Sequence, residues 1–92
     1  MFISTKETGQ VIFANEVLFD VFGMSPSVFL GKKVIQFYQN YEGRKKYVDK
    51  IRQEGHIQGH ELVLKNKKGE SFWVSASTMP LDFQNQGCYI TI

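Results

Sequence analysis

A chain of 92 residues with 42% hydrophobic and 14% aromatic residues can form one folded domain and lies outside the composition range of disordered chains. Its formal net charge of +2 is too small for a dedicated nucleic-acid binder, and the single cysteine, Cys88, excludes an internal disulfide and a CxxC metal site. No apolar run approaches the ~20 residues of a membrane helix, and the N-terminus lacks a signal-peptide pattern, so we expect a cytoplasmic domain without direct membrane contact.

The N-terminal part of the chain is predicted to form a β-hairpin followed by a short helix. Phe2–Thr5 and Gln10–Phe13 are short apolar segments, and Gly9 between them suits a turn. Asn15 is a favourable N-cap for a helix that ends at Gly23. The apolar residues at helical spacing in this helix are Val17, Leu18, Val21 and Phe22. Such a short helix is expected to be stable only when it docks on a sheet.

Two further helices are predicted in the middle of the chain. Ser25-Pro26 begins a short helix that ends at Gly31, because Ser is a good cap and Pro suits the first helical position. The segment Lys32–Asn40 is compatible with a single helical turn but is not assigned. Glu42–Glu54 is the longest predicted helix, and Gly55 ends it. One side of this helix, spaced i, i+3, i+4 and i+7, carries Arg44, Tyr47, Val48 and Ile51.

Three consecutive antiparallel strands are predicted to complete the chain, over Ile57–Asn66, Glu70–Phe83 and Gly87–Ile92, with Gly69 in the first turn between them. Alternation in the second of these strands places one set of side chains on one face of the sheet: Phe72, Val74, Ala76 and Thr78. The opposite face receives Trp73, Ser75, Ser77 and Met79. Since neither face is cleanly polar, both faces of the sheet are expected to be covered.

Several short motifs occur in the same order as these predicted elements. They are Gly9-(x5)-Asn15, Phe22-Gly23-Met24-Ser25-Pro26, Leu30-Gly31-Lys32, Glu54-Gly55, Glu61 and Lys68-Gly69-(x3)-Trp73-Val74. In this combination the chain resembles a PAS domain over nearly its whole length. The resemblance implies an α+β fold, in which a five-stranded antiparallel sheet of order 2-1-5-4-3 has helices across one face and a small apolar cavity between sheet and helices.

The resemblance also implies a non-catalytic sensory role. In bacteria such modules commonly precede a histidine kinase, a diguanylate cyclase or a transcription regulator as the attached output domain. Enzymatic motifs are absent from this chain: there is no phosphate-binding Gly-rich loop, no Gly-x-Ser-x-Gly elbow, and no histidine paired with an obvious nucleophile. No catalytic residue and no enzyme activity are therefore expected of the domain itself.

Two cofactors of the family are not supported by the residues present. Flavin-binding members carry a reactive cysteine in a Gly-x-Asn-Cys-Arg-Phe motif, whereas the comparable stretch here, Gly31–Phe37, contains no cysteine. Haem-binding members place a histidine on the long helix, whereas Glu42–Glu54 contains none. His56 and His60 straddle a helix-to-strand junction and do not form a helical metal pair, so no metal site is expected. An unidentified small molecule is the remaining candidate ligand.

The residues proposed for ligand binding lie on the inner sides of the predicted sheet and helices. They are Phe37, Tyr47, Ile51, Leu62, Leu64, Phe72, Val74, Ala76, Thr78 and Tyr89. Polar contacts to a ligand could come from Thr78, Thr91, Tyr89 and His60. The same residues could simply fill the core of a ligand-free domain, and this alternative stays open. Cys88 is interpreted as a packed, unreactive thiol.

A second predicted surface is the opposite face of the sheet. Val63, Trp73 and Met79 share this face and are expected to form an apolar patch that the helices of the domain cannot cover. Because the chain opens close to a strand and stops inside another, we interpret residues 1–92 as one domain taken from a longer chain. A helix flanking the domain or the same surface of a second copy would cover this patch, and we predict a homodimer through it. The alternative function is a ligand-free dimerisation or protein-interaction module, in which this face supplies the interface. The basic residues of Glu42–Glu54 are diluted by acidic ones, so nucleic acid is not an expected partner.

Overall fold

The computed structural model describes all residues, 1–92. Its elements follow the predicted order of two strands, helices and three strands. The strands are β1 (Phe2–Thr5), β2 (Val11–Ala14), β3 (Ile57–Lys65), β4 (Ser71–Phe83) and β5 (Gln86–Thr91). The helices are α1 (Glu16–Phe22), α2 (Pro26–Phe29) and α3 (Tyr41–Glu54), and Val34–Phe37 forms one 3₁₀ turn between α2 and α3. No helix combines the length and the apolar character that crossing a membrane requires.

All five strands belong to one antiparallel sheet in the order β2-β1-β5-β4-β3. The predicted α+β fold, its strand order and the placement of helices over one face are therefore confirmed. β5, the last strand of the chain, is central and pairs with β1 through Ile3↔Ile90 and with β4 through Met79↔Ile90. The first and last thirds of the chain thus depend on one another for their backbone hydrogen bonds.

The ends of α3 and α1 show which polar residues act as caps. Asn40 caps α3, since its side-chain oxygen accepts hydrogen bonds from the backbone N–H groups of Glu42 at 2.7 Å and Gly43 at 3.4 Å. The helix therefore begins at Tyr41, one residue earlier than predicted. Asn15 has the extended backbone of an N-cap, but its side chain accepts instead from the N-terminal amine of Met1 at 2.9 Å. The predicted side-chain cap on α1 was wrong.

The buried side of α1 also differs from the prediction. Phe22 is buried, and Leu18 and Phe19 pack beside the core. Val17 and Val21 are 65% and 45% exposed, although their spacing had placed them on the same side as Phe22. A helix of seven residues makes only about two turns. The rotation of α1 about its own axis is therefore set by the docking of Phe22 in the core and not by the spacing of its apolar residues.

Four phenylalanines form the dense end of the core. Phe22 is central among them, with ring centroids 4.8 Å from Phe37, 5.3 Å from Phe29 and 5.4 Å from Phe72. Phe29 and Phe37 are stacked at 4.9 Å. These contacts join α1, α2, the 3₁₀ turn and β4, and they fill one end of the space between helices and sheet. The other end, beneath α3, is less completely filled.

Candidate functional site

A cavity of about 390 Å³ lies between α3 and the inner face of the sheet. A volume of this size is near the lower end of the range for small-molecule sites. Its walls combine apolar side chains, a group of hydroxyls, and charged residues of α3 and of the β1–β2 turn. Of the residues predicted for ligand binding, the cavity is lined by Phe37, Tyr47, Ile51, Leu62, Leu64, Ala76, Thr78 and Tyr89.

Two predicted ligand-binding residues do not reach the cavity. Phe72 and Val74 lie on the inner face of β4, as alternation predicted, but they pack against the core cluster. Phe72 contacts Phe22 within the dense aromatic end. His60, named as a polar candidate, places its ring edge-on to the Tyr47 ring at 5.2 Å and is not a lining residue either.

The floor of the cavity carries a chain of three hydroxyls. The Tyr47 hydroxyl shares a 2.7 Å hydrogen bond with Oγ1 of Thr78, which shares a 2.9 Å hydrogen bond with Oγ1 of Thr91. The chain runs from α3 through β4 to β5 and brings three distant parts of the sequence together. The Ser4 hydroxyl takes no part in it, although Ser4 is also buried and lines the cavity. Sequence reasoning missed Ser4 because a lone serine in a short strand carries no distinguishing pattern.

Arg44 is the one charged lining residue of the cavity that is not exposed. It lies one turn before Tyr47 on α3, is half-buried and lines the cavity. Its guanidinium carbon is 5.5 Å from the centroid of the Tyr38 ring, a distance at which cation–π attraction operates. The helical spacing of Arg44, Tyr47, Val48 and Ile51 was visible in the sequence, but Arg44 was not included among the ligand-binding residues.

Two tyrosines beside the cavity have altered acidity. Burial raises the pKa of Tyr38 above that of an ordinary tyrosine, and the neighbouring Arg44 opposes part of the rise. Burial likewise raises the pKa of Tyr47, with its hydrogen bond to Thr78 and the charge of Arg44 acting in the opposite direction. Both side chains are therefore neutral at physiological pH and can donate or accept a hydrogen bond.

The outer face of the sheet carries the three residues predicted for an interface. Val63 and Trp73 are direct cross-strand partners, and Trp73 is 74% exposed. Met79 is 51% exposed but lies six residues further along β4, roughly 20 Å away at ~3.3 Å per strand residue. Ser75 and Ser77 occupy the outer positions between them. The structure thus does not bring Val63, Trp73 and Met79 into one continuous patch.

Met79 belongs instead to a second apolar group, which sequence reasoning did not identify. Cross-strand pairs place Met79, Ile90, Ile3 and Phe13 in one row across β4, β5, β1 and β2. Cys88 is fully buried next to this row, as expected for an unreactive thiol. Such a row depends on the register of four strands, and the sequence of any one strand does not show it.

Neither the cysteine nor the two histidines of the chain line the cavity. Cys88 is the only cysteine and is absent from the lining, since strand alternation places it opposite the lining residue Tyr89. His56 is exposed at the end of α3, and His60 does not line the cavity. No cluster of three or more potential metal ligands occurs in the structure.

Comparisons with known proteins agree with this architecture. A family model described as PAS domain matches residues 1–92. Among solved structures, the chain is similar to a PAS domain from a two-component sensor histidine kinase, with 16% identity, coverage of 99% of this chain and 80% of that chain, and a TM-score of 0.78. It is also similar to a PAS domain from Desulfitobacterium hafniense, with 18% identity, coverage of 99% and 86%, and a TM-score of 0.80.

A third similar structure is the PAS domain of an HTR-like protein from Haloarcula marismortui, with 13% identity, coverage of 99% and 75%, and a TM-score of 0.79. At such identities the similarity concerns the fold alone. Among curated protein sequences, none matches this chain at a significant level.

Proposed function

The chain belongs to the PAS domain family, and from the geometry of its cavity we propose that it is a cytoplasmic sensory and signal-relay module, which binds a small molecule and regulates an attached output domain. A histidine kinase, a diguanylate cyclase or a transcription regulator would be such an output. The observation that carries the proposal is the cavity of about 390 Å³ beneath α3, whose floor is a hydroxyl chain rather than close-packed apolar side chains.

The hydroxyl chain offers a physical route for the signal. Thr91 lies at the end of β5, and the next residue, Ile92, exchanges two backbone hydrogen bonds with Ser77 on β4, at 2.8 and 2.9 Å. A ligand that takes a hydrogen bond from Thr78 or Thr91 would change the contacts that hold this end of β5. Any segment attached after residue 92 would continue from the affected strand.

Native mass spectrometry of freshly purified protein tests ligand binding directly. We expect a population of the 92-residue chain heavier than the polypeptide by the mass of one small molecule, and we expect mild collisional activation to release it. A single species at the polypeptide mass, together with no stabilisation of the protein by any member of a metabolite library, would contradict the ligand-binding proposal.

A second candidate function is a ligand-free dimerisation or protein-interaction module. It is favoured by the apolar side chains on the outer sheet face, where Trp73 and Met79 are largely exposed and Phe13 is 42% exposed. A two-fold dimer uses one surface twice and needs no second complementary surface. Sedimentation velocity over a range of protein concentrations distinguishes the two functions when it is combined with the mass measurement, because this candidate predicts a dimer with no bound molecule.

A further inference from the structure

Arg44 is a charged residue on the buried side of α3. It precedes Tyr47 by three residues and Ile51 by seven, so it shares a helix face with the two buried residues of α3. A half-buried guanidinium that has lost part of its hydration needs a compensating partner. The position of Arg44 therefore implies a binding partner for its charge, whereas the solvent-facing residues of α3 are compensated by water.

The protein itself supplies no negative charge to this guanidinium. No Asp or Glu oxygen lies within 4.0 Å of it. One neighbour is Tyr38: its ring centroid lies 5.5 Å from the guanidinium carbon, and its pKa, which burial raises, is lowered in part by the charge of Arg44 and by a side-chain hydrogen bond with it. The other is the backbone of Gly9, where an added Cβ would lie 3.6 Å from Nη2 of Arg44. A tyrosine ring and one neutral hydroxyl attract the charge but do not provide the two coplanar, negatively charged oxygens that a guanidinium fork matches.

The charges around the cavity favour a single anionic group. The charged lining residues are Lys6, Glu7, Arg44 and Arg52, which are three cations and one carboxylate. Of these, Arg44 is half-buried and the other three are exposed. The local field therefore attracts an anion, and the arginine nearest the interior is placed to bind it.

The interior of the cavity suits an uncharged body. Ile51, Leu62 and Ala76 supply apolar walls, and the hydroxyls of Thr78 and Thr91 are already paired with each other. The basic residues that line the cavity are Lys6, Arg44 and Arg52. A second anionic group deeper inside would therefore remain unpaired, at a high free-energy cost.

From these observations we propose that the cavity binds a monocarboxylate with an apolar body, whose carboxylate pairs with the guanidinium of Arg44 while its body lies beneath α3. This inference rests on the proposed ligand-sensing function and names the chemical class of the ligand. The carboxylate supplies the negative partner that Arg44 lacks, and the apolar walls supply the remaining contact.

Isothermal titration calorimetry with octanoate and 1-octanol tests the proposal, because the two probes have the same chain length and differ in the carboxylate. We expect octanoate to bind at least about tenfold more tightly than 1-octanol, the lower limit for a charge-assisted bidentate contact. In Arg44→Gln the affinity for octanoate should fall by about tenfold or more, and that for 1-octanol should not change. Lys50→Gln removes an exposed cation of α3 that does not line the cavity, and it should change octanoate affinity by less than about threefold.

The variants also separate a role in binding from a role in folding. Arg44→Lys keeps the charge and loses the planar fork, so it should bind octanoate with intermediate affinity. This variant provides the test if Arg44→Gln does not fold.

Octyl phosphate that binds more tightly than octanoate would overturn the choice of a carboxylate. Equal affinity for octanoate and 1-octanol would overturn the monocarboxylate proposal and leave the ligand-sensing function standing. Failure of both probes to bind, together with a single native mass at the polypeptide value, would overturn both.

Discussion

The Tyr47 hydroxyl on α3 lies 2.7 Å from Oγ1 of Thr78 on β4, and both residues are almost completely buried. This hydrogen bond joins the longest helix to the sheet across the floor of the cavity. A second hydrogen bond joins Thr78 to Thr91 of the central strand. The contact thus couples the position of α3 to β4 and to the central strand β5. It is also the point at which a ligand would most directly affect both elements.

Tyr47→Phe should lower the free energy of unfolding by about 1 kcal/mol, the usual contribution of one buried hydrogen bond. The loss stays near this value because Thr78 retains its bond to Thr91. Tyr41→Phe is a matched control, since Tyr41 begins α3 but is 70% exposed. Urea denaturation of both variants measures the effect, and equal stability of the two would mean that the Tyr47 hydroxyl contributes nothing to the fold.

Stability should decline in alkaline solution because of Tyr38 and Tyr47. Burial raises the pKa of both groups in the folded state, whereas unfolded tyrosine ionises near pH 10. Above about pH 10 the unfolded chain loses protons that the folded chain keeps, so the stabilising contribution is complete below that pH and disappears as the pH rises through the folded pKa values. Denaturant titrations at several alkaline pH values measure this. The decline should be shallower in Tyr47→Phe than in Tyr41→Phe, and parallel curves would contradict the assignment.

Gly69→Ala should destabilise the domain by roughly 1 kcal/mol, because Gly69 has φ of 82° in the β3–β4 turn. An added Cβ would meet nothing within 4 Å, so the cost is backbone strain alone. Gly43→Ala has the same open space, but Gly43 lies inside α3 without a positive φ, and the change should stabilise by about 0.5–1 kcal/mol. Thermal melts of the pair check the opposite signs, and a shift in the same direction for both would show that strain at Gly69 is not the cause.

Ala76→Phe should abolish ligand binding while the protein stays folded. Ala76 lines the cavity from β4, and a phenyl ring at this position would occupy space that a ligand needs. Ser75→Phe introduces the same ring at the adjacent residue, which points to the exposed outer face, and should leave binding intact. Native mass spectrometry of both variants decides the outcome: a ligand retained in folded Ala76→Phe would place the binding site elsewhere.

Trp73→Glu should eliminate weak self-association of the 92-residue chain by introducing a charge into an apolar contact. The fold should be preserved, since Trp73 is largely exposed. Gln53→Glu adds the same charge to the exposed side of α3 and should not affect association. Sedimentation over a range of concentrations is the measurement. A strictly monomeric wild type would refute a dimer, and an association lost in Met79→Glu but not in Trp73→Glu would assign the contact to the row of Met79 and Ile90.

The sequence by itself determined the order of the elements and the face on which most strand residues lie. Alternation in β4 correctly separated Ala76 and Thr78, on the inner face, from Trp73 and Met79, on the outer face, because side-chain direction in a strand depends on residue parity alone. Gly69 could be assigned to a turn with positive φ because a local backbone requirement selects glycine there. These features depend on neighbours in sequence.

Only the tertiary structure decided which inner-face residues border a cavity and which fill the core. Phe72 and Ala76 share a strand face, yet Phe72 packs against the aromatic cluster and Ala76 lines the open space beneath α3. The tertiary structure likewise placed Arg44 in the lining of the cavity. It also separated Met79 from Trp73 along β4 and paired Met79 with Ile90. Each of these outcomes depends on where a helix docks or which strands pair. Docking and pairing are set by contacts between residues far apart in the chain, which the periodicity of a single segment does not encode.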